Sequence, residues 1–319
     1  MNIIETHALS RVYGKRRAVD SLDMCVAAGE IYGFVGKNGA GKSTAMKMIA
    51  GLVRPTSGSV ELFGAQRRAR EGFSRVGALI EDPGILPTFS ALENLMCKAL
   101  ALGVVRPNAH CRELLELVGL ADTGSLRVKK FSLGMKQRLG LALALVGGPD
   151  LLLLDEPFNG LDPESTRAMR GALVRLNRER GVTMVISSHV LDQLDRMATS
   201  FGVIRSGRMV RELSMDDLHR ECGNSIRIRT NDPARTLAIL EEALPGTALR
   251  AEPDGSILAS AAVRHAATSF GGAAVAPMAP SAEDVARALS EHGLLILELS
   301  NVERDIEEYF VELMGGADA

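Results

Sequence analysis

No run of about 20 apolar residues, the length a bilayer-spanning helix requires, occurs in this chain of 319 residues. The most apolar stretch, residues 139–154, is cut by Gly147-Gly148-Pro149-Asp150, and the Ala-rich run at 259–279 carries Arg264 and His265. The opening residues, Asn2-Ile3-Ile4-Glu5-Thr6-His7, form neither a cationic leader nor an apolar core segment, so no secretion signal is expected. An excess of one charge is also missing. The 37 Lys and Arg nearly balance the 39 Asp and Glu, for a net charge of -2, which leaves no bulk attraction for nucleic acid or anionic lipid. No nucleic-acid partner is expected, and Arg67, Arg68 and Arg70 are the local basic run that bears on the point. Cysteine is scarce: Cys25, Cys97, Cys111 and Cys222 lie far apart without paired spacing. That argues against a zinc cage or a disulfide framework and for reduced, buried thiols in a cytosol. No internal repeat marks a solenoid or propeller.

What the chain does have is 46% hydrophobic residues, enough to fill the cores of about two domains. Its composition changes once, near residues 222–225. Before that point short β-rich runs alternate with Gly turns and helical segments. Residues 29–35 read as a strand, a Gly-rich turn follows, and residues 43–50 read as a helix. Residues 151–154 and 184–187 are apolar throughout, which suits strands of a parallel sheet covered on both faces. Residues 1–222 therefore predict an α/β nucleotide-type domain. Residues 223–319 predict a small α+β accessory domain of ferredoxin-like type. Its order is a strand at 226–230, then a helix that Asp232 caps, with Pro233 in its first turn and Leu237, Leu240 and Leu244 on one face. A strand at 256–260 and an Ala/Gly/Pro-rich stretch to about 280, strand or loop, come next. Ser281 with Asp284 opens a helix carrying Val285 and Leu289. A strand at 294–299 precedes a last helix, starting at Asn301, with Val302, Ile306, Tyr309, Phe310 and Leu313 along one side.

Gly36-Lys37-Asn38-Gly39-Ala40-Gly41-Lys42-Ser43-Thr44 satisfies G-x-x-x-x-G-K-[ST] between a predicted strand and a predicted helix, which is the context that motif needs. The glycines let backbone N–H groups turn inward around a β-phosphate, and the helix N-terminus adds positive potential. Lys42 reaches the β and γ oxygens and Ser43 offers its hydroxyl to Mg²⁺. A Gly-rich turn with a chance Lys-Ser pair is the plainer reading, and it leaves the third glycine and the flanking elements unexplained.

Leu151-Leu152-Leu153-Leu154-Asp155-Glu156-Pro157 delivers two adjacent carboxylates at the C-terminal end of an apolar strand, where open α/β sheets bind ligands. In this Walker B arrangement Asp155 holds Mg²⁺ through its water shell, and Glu156 orients and deprotonates the attacking water. Taken alone the pair could equally be solvated loop residues. Taken with Lys42 and Ser43 it reads as catalytic.

Between these motifs, Lys130-Phe131-Ser132-Leu133-Gly134-Met135-Lys136-Gln137-Arg138 leads into a helical run. This resembles the signature motif of ATP-binding-cassette (ABC) ATPases in a variant form: Ser132 and Gly134 are kept, while Phe131, Leu133 and Met135 depart from Leu-Ser-Gly-Gly-Gln. The retained hydroxyl and glycine are the phosphate-facing parts at a helix N-terminus. Other landmarks follow in the family's order. Tyr13, followed by Gly14, resembles the aromatic that stacks on adenine, the plainer alternative being a surface tyrosine. Asn159-Gly160-Leu161-Asp162-Pro163 looks like the loop at the dimer seam. Ser187-Ser188-His189, after a strand, looks like the switch histidine that contacts the γ-phosphate. In place of the usual glutamine that senses Mg²⁺ and touches the membrane partner stands Glu81, in Leu79-Ile80-Glu81-Asp82-Pro83; an ionised carboxylate can ligate Mg²⁺ but cannot donate a hydrogen bond.

Glu81, Pro83, Leu92-Glu93-Asn94-Leu95 and Ser132-Leu133-Gly134-Met135-Lys136-Gln137-Arg138 resemble most the ATPase subunits of bacterial exporters for peptide antibiotics, of the bacitracin-resistance and lantibiotic-immunity type. The cassette resemblance covers residues 1 to about 220. It implies a P-loop NTPase cassette that binds ATP and Mg²⁺, a separate transmembrane permease as partner, and a cytoplasmic location, peripheral on the inner face of the membrane. One chain carries one phosphate loop and one signature, so the resemblance also implies a second ATPase subunit, with ATP held between Lys42, Ser43 and Asp155 of one copy and Ser132 and Gly134 of its mate. A soluble ABC ATPase acting on ribosomes or DNA is the competing class; those relatives fuse two cassettes or insert coiled coils, and this chain has neither. For the C-terminal domain, a regulatory or ligand-sensing role and an inert packing role both stand.

Overall fold

The computed structural model describes residues 1–66, 75–222, 225–261, 281–302 and 306–315. The basic run at Arg67, Arg68 and Arg70, and the Ala/Gly/Pro-rich stretch before residue 281, lie outside them. The chain divides into two compact units: Met1–Ser214 together with residues from Leu313 on, and Met215–Glu312. The helix Met215–Cys222, which the composition change left with the first domain, groups with the second unit.

The first unit opens with a hairpin of two long strands, β1 (Asn2–Tyr13) and β2 (Arg16–Ala27), joined at Gly14, whose φ of +57° a glycine adopts without strain. β3 (Ile31–Val35) is buried at every position and runs into the Gly-rich loop that starts α1 (Lys42–Ile49). Two antiparallel strands, β4 (Ser57–Leu62) and β5 (Ala65–Gln66), extend the hairpin into a four-stranded sheet ordered β2-β1-β4-β5. After β6 (Val76–Leu79) come three helices, α2 (Ala91–Ala101), α3 (Pro107–Leu117) and α4 (Leu133–Leu145). Next are β7 (Leu151–Asp155), α5 (Pro163–Arg180), β8 (Thr183–Ser188), β9 (Ser200–Arg205) and β10 (Arg208–Ser214).

β10-β9-β3-β8-β7-β6 form the second sheet. Its pairs are parallel except for β10, which returns antiparallel along β9. The all-leucine β7 explains itself here. Leu151 and Leu153 enter the core shared with α1 and the antiparallel sheet, Leu152 and Leu154 point to the opposite face, and all four are fully buried. Covered on both sides, the sheet leaves only its strand ends open, and the C-terminal ends of β3 and β7 carry the two motifs.

The second unit consists of α6 (Met215–Cys222), β11 (Ser225–Thr230), α7 (Pro233–Ala243), β12 (Thr247–Ala251), β13 (Ile257–Ala261), α8 (Ala282–Glu291), β14 (Ile296–Val302) and α9 (Ile306–Leu313). The run from β11 to β14 is βαββαβ, with an antiparallel sheet ordered β12-β13-β11-β14, the ferredoxin-like arrangement. Ile226, Ile228, Leu240, Ile257, Val285 and Leu289 form its core. Two details differ from expectation. The sheet has an additional strand, β12, a short, largely exposed edge segment. Asn301 does not start the last helix: Asn301 and Val302 continue β14, paired with Ile226 and Ser225. Among the described residues no helix is long and apolar enough to cross a membrane. The four cysteines are free; Cys111 and Cys222 are buried, whereas Cys97 is exposed and so departs from the expected buried set.

Candidate functional site

The loop between β3 and α1 is shaped by close approaches that only glycine tolerates. A Cβ on Gly36 would stand 2.5 Å from the Ile204 carbonyl oxygen, and one on Gly41 would stand 2.5 Å from that of Ala18. Gly39 and Gly41 have φ of +81° and +113°. Five other helix starts are closed by side chains, Ser90 on α2, Ser132 on α4, Asp162 on α5, Asp232 on α7 and Ser281 on α8, whereas α3, which begins at Arg106, has no such cap. α1 starts at bare Gly41 with no side-chain cap. Its first N–H groups face a cleft of about 420 Å³ lined by Tyr13, Arg16, Asn38, Gly39, Lys42 and Glu156, among others. Uncapped N–H groups with the positive end of a helix behind them make an anion cradle, and that donor set fits a nucleotide phosphate chain.

Charged groups converge at one end of this cleft. Lys42, 5% exposed, donates from Nζ to the Gly36 carbonyl at 2.5 Å and sits 3.3 Å from Glu156 Oε1. The other carboxylate oxygen, Glu156 Oε2, lies 2.8 Å from His189 Nδ1. An ionised carboxylate only accepts, so Nδ1 is the donor of that bond. Glu156 itself has φ of +48°, the left-handed region that a non-glycine side chain enters only when its surroundings hold it there. Ser187, at the end of β8, does the holding. Its hydroxyl donates to Asp155 Oδ1 at 2.5 Å and accepts the Glu156 N–H at 2.9 Å. The next residue, Ser188, accepts the Val190 N–H at 3.0 Å and so shapes the turn that carries His189.

Eight of the expected site residues line the cleft: Tyr13, Asn38, Gly39, Gly41, Lys42, Ser43, Thr44 and Glu156. His189 joins through Glu156, and Asp155 through Ser187. The others do not line it. Gly36 lies behind the loop against Ile204, and Ala40 is buried in the core. Ser132 spends its hydroxyl oxygen on the Met135 N–H as the cap of α4. A Cβ on Gly134 would stand 2.7 Å from Ser165 Oγ, so this glycine is required by packing against the start of α5. Asp162 caps α5, accepting from the Glu164 and Ser165 N–H groups, and the Ser165 backbone bond first of all holds its carboxyl below the usual range. Glu81, with φ of +62°, forms an ion pair with Lys47 at 2.5 Å and is not among the residues lining the cleft. These residues therefore act within their own chain as caps, packing and ion pairs, and the cleft of one chain lacks the expected signature contacts.

Three contributors were given no role by the motifs, Ser187 among them although it stands beside the switch histidine. Ser187 carries no signal except its place after an apolar strand. Ala18 and Arg16 line the cleft from β2, and the Arg16 guanidinium would be 3.7 Å from a Cβ on Gly39. Arg17 pairs with Asp20, whereas Arg16 has no acidic partner among the described residues. The basic run Lys15-Arg16-Arg17 directly after the Tyr13-Gly14 turn is the signal that could have found it.

The model of the ABC transporter family matches residues 19–159. The bacitracin transport ATP-binding protein BcrA of Bacillus licheniformis is 35% identical over 316 residues, covering 98% of each chain. The lantibiotic transport ATP-binding protein SrtF of Streptococcus pyogenes is 38% identical over 67% of this chain and 92% of its own. Among solved structures, the dimeric, post-hydrolysis ATP-binding cassette MJ0796 bound to ADP and Pi superposes with a TM-score of 0.61 at 22% identity, over 66% of this chain and 98% of that one, which shows the fold.

Proposed function

The chain belongs to the ABC transporter ATP-binding family and is an ABC-type ATPase; from that premise we propose that it powers a separate membrane permease that exports peptide antibiotics or other amphipathic compounds. The observation that carries the catalytic part is the Lys42–Glu156–His189 cluster at the end of the cleft. The triphosphate lies along the α1 N-terminus with Lys42 between its β and γ oxygens. Ser43 and Asp155 are the residues that would hold Mg²⁺, a hydroxyl and a carboxylate of the hard-oxygen kind it takes, and the ion would supply neutralisation of phosphate charge. Glu156 accepts the proton of the attacking water, with His189 keeping the carboxylate aimed. Two chains are needed, because Ser132 and Gly134 stand away from the cleft of their own chain and serve that of a second copy. The chain works at the inner face of the membrane through the permease, no helix among the described residues being long and apolar enough to cross.

The exporter reading rests on the names of relatives that match nearly the full length, bacitracin transport above all. It is tested in cells by measuring resistance to a panel of peptide antibiotics with the wild-type gene, with Lys42→Ala and with no gene. Wild type should protect against at least one cationic or cyclic peptide while Lys42→Ala behaves as the deletion. Equal resistance in all three strains across the panel would set the cargo class aside and leave the ATPase reading intact.

A further inference from the structure

Tyr13 closes β1, lines the cleft, and is 45% exposed. An exposed tyrosine at a hairpin tip would ordinarily sample several rotamers, and ordering it on ligand arrival would cost binding energy. Here the ring is already backed. Two residues earlier on the same side of the strand, the Arg11 guanidinium lies 4.5 Å from the ring centroid. Tyr13 is among the residues lining the cleft and Arg11 is not.

Arg11 is anchored in turn. Its Nη1 donates to the Arg54 carbonyl at 2.9 Å. Thr56, two residues on, ties that segment to β1 from both of its ends: its hydroxyl accepts the Val12 N–H at 3.1 Å, and its own N–H donates to the Ser10 carbonyl at 2.8 Å. Among the described residues, Arg11 Nε is buried without a hydrogen-bond partner. A guanidinium that leaves one buried N–H unpaired is not placed for complete hydrogen bonding; its cation–π contact with the ring is the favourable contact of that position.

We propose that Arg11 is a positioning residue for the base: it fixes the Tyr13 ring from behind, so that a purine stacks on the cleft-facing side as the third layer of an Arg–Tyr–base stack. Two effects add. The ring is ordered before the nucleotide arrives, and the cation behind it draws on the ring's negative quadrupole, which leaves the open face better matched to an electron-rich purine. Both act on the base and neither acts on the phosphates. The inference rests on the nucleotide reading of the same cleft and assigns its base-recognition end.

The test compares ATP with inorganic tripolyphosphate, each with Mg²⁺, titrated into the full chain as wild type, Arg11→Met, Tyr13→Leu and the double variant; Arg11→Lys, which keeps the charge without the planar guanidinium, takes the place of Arg11→Met if that variant does not fold. Arg11→Met should weaken ATP binding about two- to fivefold, the size of an exposed cation–π contact, and leave tripolyphosphate binding unchanged. In the Tyr13→Leu background it should add nothing. The chain has no Trp and three Tyr, so tyrosine emission reports the ring directly, and ATP, but not tripolyphosphate, should change it in wild type and not in Tyr13→Leu. Equal losses for ATP and tripolyphosphate, an undiminished effect in the Tyr13→Leu background, or wild-type ATP affinity in Arg11→Met would each overturn the assignment of Arg11 while leaving the cleft a nucleotide site. A wild type that retains neither ligand would overturn both.

Discussion

Ser187 joins the two acidic residues at the end of β7 through one oxygen, and this makes it the side chain whose removal most cleanly separates geometry from charge. Ser187→Ala deletes the bonds to Asp155 and to the Glu156 N–H but leaves both carboxylates, Lys42 and His189 in place. Residues that orient a metal ligand or a base in this way typically matter about 10–100-fold. Ser187→Ala should therefore lower kcat by that factor with ATP affinity within about threefold of wild type; an unchanged kcat in a steady-state phosphate-release assay would remove Ser187 from the machinery. Arg16 belongs to the opposite category. Exposed beside Gly39 and without an acidic partner among the described residues, it is placed to bond phosphate oxygens, as charge-assisted bonds at a nucleotide require. Arg16→Gln should raise the KM for ATP about three- to tenfold and flatten its salt dependence, with kcat preserved. A KM equal to that of wild type across the salt series would contradict the contact.

Among the elements, the β10 edge of the parallel sheet shows how a fold can depend on an absent side chain. The Tyr32 hydroxyl reaches from β3 across β9 and donates to Glu212 on β10 at 2.5 Å. It passes over Gly202, where a Cβ would stand 2.0 Å from that hydroxyl. Gly202→Ala should cost about 2–4 kcal/mol in chemical denaturation, through overpacking and the loss of a buried hydrogen bond. A change below about 0.5 kcal/mol would mean the edge repacks freely. Burial pushes the Glu212 carboxyl above the usual glutamate range, against the pull of the Tyr32 bond. The folded chain thus keeps a proton that the unfolded chain has lost. Stability falls as pH rises from the ordinary glutamate range through the raised value, and the loss is complete above it. Glu212→Gln removes that loss, so its thermal midpoint should match wild type in acid and exceed it increasingly toward neutral pH; a gap that does not vary with pH would contradict the sign. The same scale shows what could be read in advance. β3, β7 and β8 announced themselves because strands buried on both faces must be apolar at every position, and the Gly-rich loop because its glycines meet backbone at 2.5 Å. β12 did not, being a short, largely exposed edge strand, Thr247–Ala251, whose pairing comes from its neighbour and not from its own pattern. The end of β14 was mistaken for a helix start because Asn301 is a good cap in isolation and its pairing with Ile226 is a long-range fact.

In the whole molecule, the residues that the family resemblance assigned to ATP fall into two groups. Those on β1, the Gly-rich loop, β7 and β8 come together at one cleft. Glu81, Ser132, Gly134 and Asp162 do not, and nothing in one chain's motif spacing tells the two groups apart. The distinction appears only in three dimensions, where Ser132 and Asp162 are helix caps and Gly134 packs against Ser165. That Ser132 and Gly134 lie away from the cleft of their own chain is the physical argument for the second copy proposed above. The most direct measurement of this claim is sedimentation of Glu156→Gln, which keeps the shape of the base and removes its charge, with and without ATP and Mg²⁺. A dimer that appears only with ATP, retains about one uncleaved nucleotide per chain and is abolished by Lys42→Ala is the predicted result. A monomer that remains saturated with ATP, or a variant that hydrolyses ATP at the wild-type rate, would contradict the account.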